Sequence, residues 1–268
     1  MILVGGRQLA KELTEKLQND IKASGRKFSL TIFACDPNFE TRKFLAAKKK
    51  RAVDLGVAVE IILLERSLNT EEFIAAIKAV LPKTDGVIVQ LPSPEHLDSK
   101  QILASVPKEK DVDVFGYVGE ETEILPPVVG AIAEIAKRYQ ITWLGKKVVV
   151  FGEGRLVGAP AKLFGQQQGA EVKVITSTTP EIEMIEVTKT ADIIILGVGK
   201  PHLVTAKMVK EGVVIFDAGT SEEAGELVGD ADPSVASKAQ LLTPVPGGIG
   251  PLTVALLFRN LFYLAKNN

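Results

Sequence analysis

The chain has 268 residues, a formal net charge of -1, 46% hydrophobic and 24% charged side chains, one cysteine and two histidines. That length suits one large domain or two ordinary ones, and the composition is that of a soluble globular protein with a sizeable core. The balanced charge gives no electrostatic case for nucleic acid or an acidic membrane surface. A lone cysteine excludes an intrachain disulfide and points to a reducing compartment, and so few His and Cys argue against a zinc site.

Neither a signal-peptide pattern nor a run long enough to span a bilayer is visible, so a cytoplasmic location is expected. Leu9, Leu13, Leu17 and Ile21 recur at helical spacing and predict an amphipathic helix over 8–23. The apolar run 30–35 predicts a buried strand ended by Asp36-Pro37-Asn38, with Cys35 as a small buried hydrophobe at its end. A helix over 42–55 is stopped by Gly56 in C-cap style. A strand follows at 59–64, then a helix from Asn69 to about Val80, with Asn69 and Glu72 as a capping box. The strand 87–91 is broken by Pro92 and Pro94. This alternation predicts a parallel sheet with helices on both faces.

The stretch 106–127 is irregular, acidic and proline-bearing, as expected of a functional loop or a domain boundary. A helix is expected over 128–139. A second alternating series then places strands at 147–151, 171–175, 193–196 and 213–216 with helices between, a Rossmann-like unit. Its first strand runs into Gly152-Glu153-Gly154-Arg155-Leu156-Val157-Gly158 and then a helix over 159–168. A strand, a glycine turn and a helix N-terminus make an anion site suited to a pyrophosphate. The spacing is G-x-G-x-x-x-G rather than the commoner G-x-G-x-x-G, so an ordinary βα turn is the competing reading. The chain ends with Leu241-Leu242-Thr243, the loop PVPGGIGP at 244–251 and an apolar helix over 252–266 whose first turn suits Pro251. On composition the loop serves equally as a surface for a flat ligand or as a hinge.

Several segments resemble one family. They are GVIVQLP at 86–92, KDVD at 110–113, VGAP at 157–160, GVGKP at 197–201 and TPVPGGIGPLT at 243–253. The chain resembles the bifunctional methylenetetrahydrofolate dehydrogenase/methenyltetrahydrofolate cyclohydrolases of one-carbon metabolism over nearly its whole length. The resemblance implies an α/β fold with a folate-binding catalytic domain (1–127 plus 252–268) and an NAD(P)-binding Rossmann-like domain (128–251). It also implies an active site in the cleft between them and a homodimer. The implied activities are oxidation of 5,10-methylenetetrahydrofolate with a nicotinamide cofactor and hydrolysis of the methenyl product to 10-formyltetrahydrofolate.

The family's Tyr-x-x-x-Lys pattern becomes Phe44-Leu45-Ala46-Ala47-Lys48 here. The resemblance implies Lys48 as the catalytic lysine, Gln90 as its contact and Asp113 as the carboxylate that holds the pterin N–H groups. Phe44, Leu91, Pro246, Gly247 and Gly248 are implied in substrate binding. Phe44 can stack on the aminobenzoyl ring but lacks the tyrosine hydroxyl, so impaired hydrolysis is expected. In isolation the run Lys48-Lys49-Lys50-Arg51 reads as a solvated basic face. Val114 replaces a usual glycine and Leu125-Pro126-Pro127-Val128 a usual Pro-Cys-Thr-Pro segment, which predicts altered walls.

Cofactor contacts are implied at Gly152, Glu153, Gly154, Arg155, Val157, Gly158, Ser177, Gly199 and Thr220. NADP is the family expectation, with NAD a rival. Glu153 repels a 2′-phosphate, whereas Arg155 and the hydroxyls of 176–179 favour one. Competing readings are a member retaining one step, a silent folate- or nucleotide-binding protein, and an amino-acid or shikimate-type dehydrogenase of the same architecture.

Overall fold

The computed structural model describes residues 1–120 and 122–267. In chain order the elements begin with β1 (Ile2–Leu3), α1 (Gly6–Ser24), β2 (Ser29–Cys35), α2 (Phe39–Leu55), β3 (Ala58–Leu64), α3 (Thr70–Val80), β4 (Gly86–Val89) and α4 (Ser99–Ala104). There follow α5 (Pro127–Arg138), β5 (Lys147–Phe151), α6 (Gly158–Gln167), β6 (Glu171–Ile175), α7 (Glu181–Thr190) and β7 (Ile193–Leu196). The last are β8 (Val213–Asp217), β9 (Ser221–Glu223), β10 (Glu226–Val228), β11 (Ala239–Leu242) and α8 (Ile249–Lys266). The chain forms two compact units, one of residues 11–116 with 254–268 and the other of 1–10 with 117–253.

In the unit of 11–116 the three strands stand in the order β3-β2-β4, all parallel. Central β2 is buried from Leu30 to Cys35, as a strand covered on both faces must be, while edge strand β3 alternates. The side chain of Asn38 accepts from the Thr41 N–H at 2.8 Å and so opens α2; Gly56, left-handed at φ 69°, closes it. The Asn69–Glu72 capping box forms as the sequence predicts. One core holds Leu17, Leu30, Ile32 and Leu45 with Leu257, Phe258 and Leu261 of α8; another holds Phe33, Phe73, Ile77 and Ile102. Cys35 is buried. Helix α4, six residues opened by an Asp98 cap, is too short to show a period in the sequence.

In the other unit six strands stand in the order β1-β11-β8-β7-β5-β6, each pair parallel. From β5 the chain passes to β6 on one side and then to β7 on the other. Such a reversal of strand order opens a crevice at the carboxyl ends of the strands, where ligands of open α/β sheets bind. One sequence expectation fails in this unit. Helices were predicted between all four strands, but β7 and β8 are joined by a loop whose only helical turn is the short 3₁₀ segment Ala206–Met208. Gly197, Gly199, Pro201 and Gly212 cluster there and disfavour an α-helix. The sheet also gains β1 and β11, and the antiparallel hairpin β9–β10 forms a separate two-stranded sheet.

Candidate active site

The buried positions of α2 are Thr41, Leu45, Lys48, Ala52 and Leu55, the stripe a helix turns toward a core. Lys48 therefore occupies an apolar position and is 7% exposed, while its neighbours Lys49 and Lys50 face solvent. The run is not a uniform basic face. Lys48 Nζ donates to Gln90 Oε1 at 2.7 Å. The Gln90 Nε2 group donates to the Leu91 carbonyl at 2.8 Å, which turns the amide oxygen toward the lysine. Gln90 stands one residue past β4, and its N–H still donates to the Phe33 carbonyl at 2.8 Å, so the strand ladder fixes its place.

Burial lowers the Lys48 pKa below the usual lysine range, against the opposing charge of Asp113. Burial raises the pKa of half-buried Asp113, and Lys48 pulls it back. So α2, the end of β4 and the loop after Lys110 bring Lys48, Gln90 and Asp113 into one electrostatic group. Phe44 lies one turn before Lys48 and is half-buried, as is Leu91, whose bond to Pro92 is cis. Val114 adopts φ 56°, a left-handed conformation that glycine takes freely and a β-branched residue rarely does. Pro126 and Pro127 of the altered segment open α5.

In the other unit the glycine turn lies between β5 and α6, at the point where strand order reverses. Gly152 has φ 87°, and a Cβ on Gly158 would overlap the Gly152 carbonyl. Side chains are thus excluded at both ends of the turn. A Cβ at Gly154 would meet nothing within 4 Å, and Glu153, Gly154 and Arg155 are exposed. Val157, which precedes α6, has no acceptor to cap the helix; the Ala159 N–H goes to the Gly154 carbonyl at 3.1 Å and Pro160 has none, so Gly158 supplies the first-turn amide for an anion. These features fit the pyrophosphate of a dinucleotide. Gly199, at φ 67°, would place a Cβ 3.7 Å from the Thr220 carbonyl, so these two predicted residues are neighbours. Ser177 is exposed in a turn stitched by Thr176, Thr178 and Thr179.

Two carboxylates that sequence reasoning missed organise this end of the sheet. Asp230, fully buried, accepts from the N–H groups of Val198 at 2.8 Å, Gly199 at 3.3 Å and Lys200 at 2.7 Å. Asp217, 2% exposed, accepts from Gly219, Asp230 and Ala231 N–H groups at 2.9, 3.3 and 2.8 Å. A Cβ on Gly219 would overlap the Asp230 carboxylate, and one on Gly229 would overlap that of Asp217. The available signal was an acidic residue closing the apolar strand VVIFD. In the loop 244–251, Pro246 is exposed, Gly247 sits beside Arg7 at φ 111°, and Gly248 is buried with its N–H on the Pro244 carbonyl at 2.7 Å.

A parallel sheet with a dinucleotide-type turn and a separate lysine-centred unit in one chain define a two-domain α/β oxidoreductase. The sequence matches the catalytic domain of tetrahydrofolate dehydrogenase/cyclohydrolase over residues 4–113 and the NAD(P)-binding domain of the same enzymes over 126–268. The chain belongs to the bifunctional methylenetetrahydrofolate dehydrogenase/cyclohydrolase family. It is 33% identical to the mitochondrial bifunctional methylenetetrahydrofolate dehydrogenase/cyclohydrolase of Gallus gallus, over 99% of this chain and 87% of that protein. The crystal structure of the FolD enzyme of Campylobacter jejuni superposes with a TM-score of 0.92 at 32% identity, covering 100% of this chain and 99% of that one. The Trypanosoma brucei dehydrogenase-cyclohydrolase, complexed with NADP and an inhibitor, gives 0.93 at 27% identity over 99% and 97%.

Proposed function

We propose that the chain oxidises 5,10-methylenetetrahydrofolate to the 5,10-methenyl form and hydrolyses that product to 10-formyltetrahydrofolate, with NADP as oxidant. The observation that carries this reading is the buried amine of Lys48, 2.7 Å from an amide oxygen held in place by the main chain. A bound nicotinamide supplies the hydride acceptor for the first step. Asp113 holds the pterin through paired N–H groups, and Phe44 packs on the aminobenzoyl ring. Leu91, next to Gln90, lines the substrate.

In the hydrolytic step water adds to the methenyl carbon, and the neutral Lys48 amine takes the water's proton. The carbon–N5 bond then breaks as the adduct's hydroxyl gives up its remaining proton to solvent, leaving the formyl group on N10, and Lys48 returns its own proton to N5. Gln90 accepts from the Lys48 N–H in the resting state and keeps the amine's lone pair directed. Gly152, Gly154, Val157 and Gly158 take the pyrophosphate, and Gly199 and Thr220 the nicotinamide end. Arg155 and Ser177 take the 2′-phosphate against the repulsion of Glu153. The proposed setting is a cytoplasmic homodimer acting on a small folate; among the described residues no helix is long and apolar enough to cross a membrane.

The test follows both steps. Reduction of NADP with methylenetetrahydrofolate should occur at a rate lost in Asp113→Ala, and loss of methenyl absorbance should be abolished in Lys48→Met. Loss of methenyl absorbance should accelerate as pH rises through the lowered Lys48 pKa, because only the free amine accepts a proton. No nicotinamide reduction sinks the dehydrogenase. Reduction without hydrolysis leaves a one-step enzyme, the reading that Phe44 favours. Tighter binding of NAD than NADP would make NAD the cofactor.

A further inference from the structure

The segment Lys110-Asp111-Val112-Asp113 carries two acidic residues, and the proposed function uses only the second. Asp111 Oδ1 accepts from the N–H groups of Asp113 at 3.2 Å and Val114 at 3.0 Å, and Oδ2 from that of Phe115 at 2.7 Å. Three successive amides thus converge on one carboxylate. The middle one belongs to Val114, the residue at φ 56°. A β-branched residue leaves that region unless its surroundings hold it there.

The preceding residues are pinned separately. Lys110 Nζ donates to the Leu81 and Thr84 carbonyls at 2.7 and 2.5 Å. Asp111 forms a parallel bridge with Val87 beside β4. The Val112 side chain is fully buried, and its carbonyl accepts from Asn260 Nδ2 of α8 at 3.0 Å. The core therefore fixes the backbone up to Val112, and the Asp111 carboxylate fixes it from Asp113 to Phe115. Burial and then the charge of Asp113 push the Asp111 pKa up to about 7, although the three amides pull it down. Two carboxylates crowded this closely oppose folding, so the placement argues for a use.

The geometry points to Asp111 as the positioning residue for Asp113: its carboxylate holds the amide of Asp113 and the strained turn after it, so that the Asp113 side chain meets the pterin. This rests on the reading of Asp113 as the pterin's partner. It goes beyond that reading by assigning the neighbouring acid a separate task.

The test is a double-mutant cycle on the full chain with Asp111→Asn, Asp113→Asn and the pair. The readouts are KM and kcat for methylenetetrahydrofolate, the NADP Kd and the melting temperature. Asp111→Asn sets an NH2 group against a backbone N–H. It should raise the folate KM about tenfold, the scale of one lost charge-assisted hydrogen bond, with NADP Kd unchanged. In the Asp113→Asn background the same change should alter KM by less than about twofold, because the residue it acts through is gone. An equal factor in both backgrounds overturns the proposal, since Asp111 would then act by some other route. If Asp113→Asn alone leaves KM unaltered, the reading of Asp113 fails and takes the proposal with it. Should Asp111→Asn fold poorly, the cycle is run on Val114→Gly. There the turn keeps its φ without help, and Asp111→Asn should raise KM by less than about threefold; a rise of about tenfold overturns the proposal.

Discussion

A lysine in the core stripe of a helix opposes folding while it is charged, and the molecule answers by lowering its pKa. That answer suits hydrolysis, which needs a base near neutral pH. The family's tyrosine would add a hydroxyl one turn away on the same face, whereas Phe44 provides the ring alone. With Gln90 as the amine's hydrogen-bond partner, the lysine is aimed from one side only. Phe44→Tyr should therefore raise the rate of methenyl hydrolysis by roughly three- to tenfold, the worth of one neutral hydrogen bond, and leave nicotinamide reduction within about twofold. The readout is single-turnover loss of methenyl absorbance. An unchanged rate would mean that Gln90 alone suffices to orient Lys48.

At the scale of elements, the loops after β7 and β8 are held by carboxylates as well as by apolar packing such as that of Val204 and Val209. Asp217 shows what this does to stability. Its pKa is pushed up to about 6 by burial, with a smaller push from Asp230, against hydrogen bonds from Ala231, Gly219 and Asp230 amides. In the unfolded chain the group titrates near its usual value of 3.8. Between those values the folded protein holds a proton that the unfolded chain has lost, so stability falls as pH rises across that window. The wild type should accordingly lose more melting temperature from pH 4.5 to pH 7 than Asp217→Asn, which has no proton to release there. Parallel slopes by differential scanning fluorimetry would refute the linkage.

These loops also mark where sequence reasoning stopped. Helices and central strands were legible because their periods and caps are local: Asn69 with Glu72, Gly56, the run LTIFAC. The group of Lys48, Gln90 and Asp113 was reachable through the family resemblance, since their types and spacing survive in the chain. The carboxylate clamps were not, because all but one of the amides on Asp217 and Asp230 come from 13 to 32 residues away. The missing helix between β7 and β8 shows the converse, a periodic expectation overruled by glycines and a proline.

For the molecule as a whole, the N-terminal residues 1–10 belong to the unit of 117–253 rather than to the one that follows them in sequence. β1 is two residues long and pairs with β11, and the Val4 N–H donates to the Leu242 carbonyl at 3.0 Å. So short a strand carries no sequence signal and depends on what holds it. Gly6, the first residue of α1, supplies that hold: a Cβ there would overlap the Gly248 carbonyl and approach that of Gly247 to 2.7 Å. The partner atoms are backbone, which cannot swing aside as a flexible side chain would. Gly6→Ala must push α1 away from the loop 244–251 and loosen β1 from the sheet. It should destabilise the protein by about 2–3 kcal/mol in urea unfolding, the upper range for overpacking a rigid contact. Gly5→Ala is the internal control. A Cβ there meets only Gln8 Cβ at 3.9 Å, an ordinary contact, and its effect should stay within about 1 kcal/mol. Equal stability of the two variants would show that β1 joins β11 without depending on this contact.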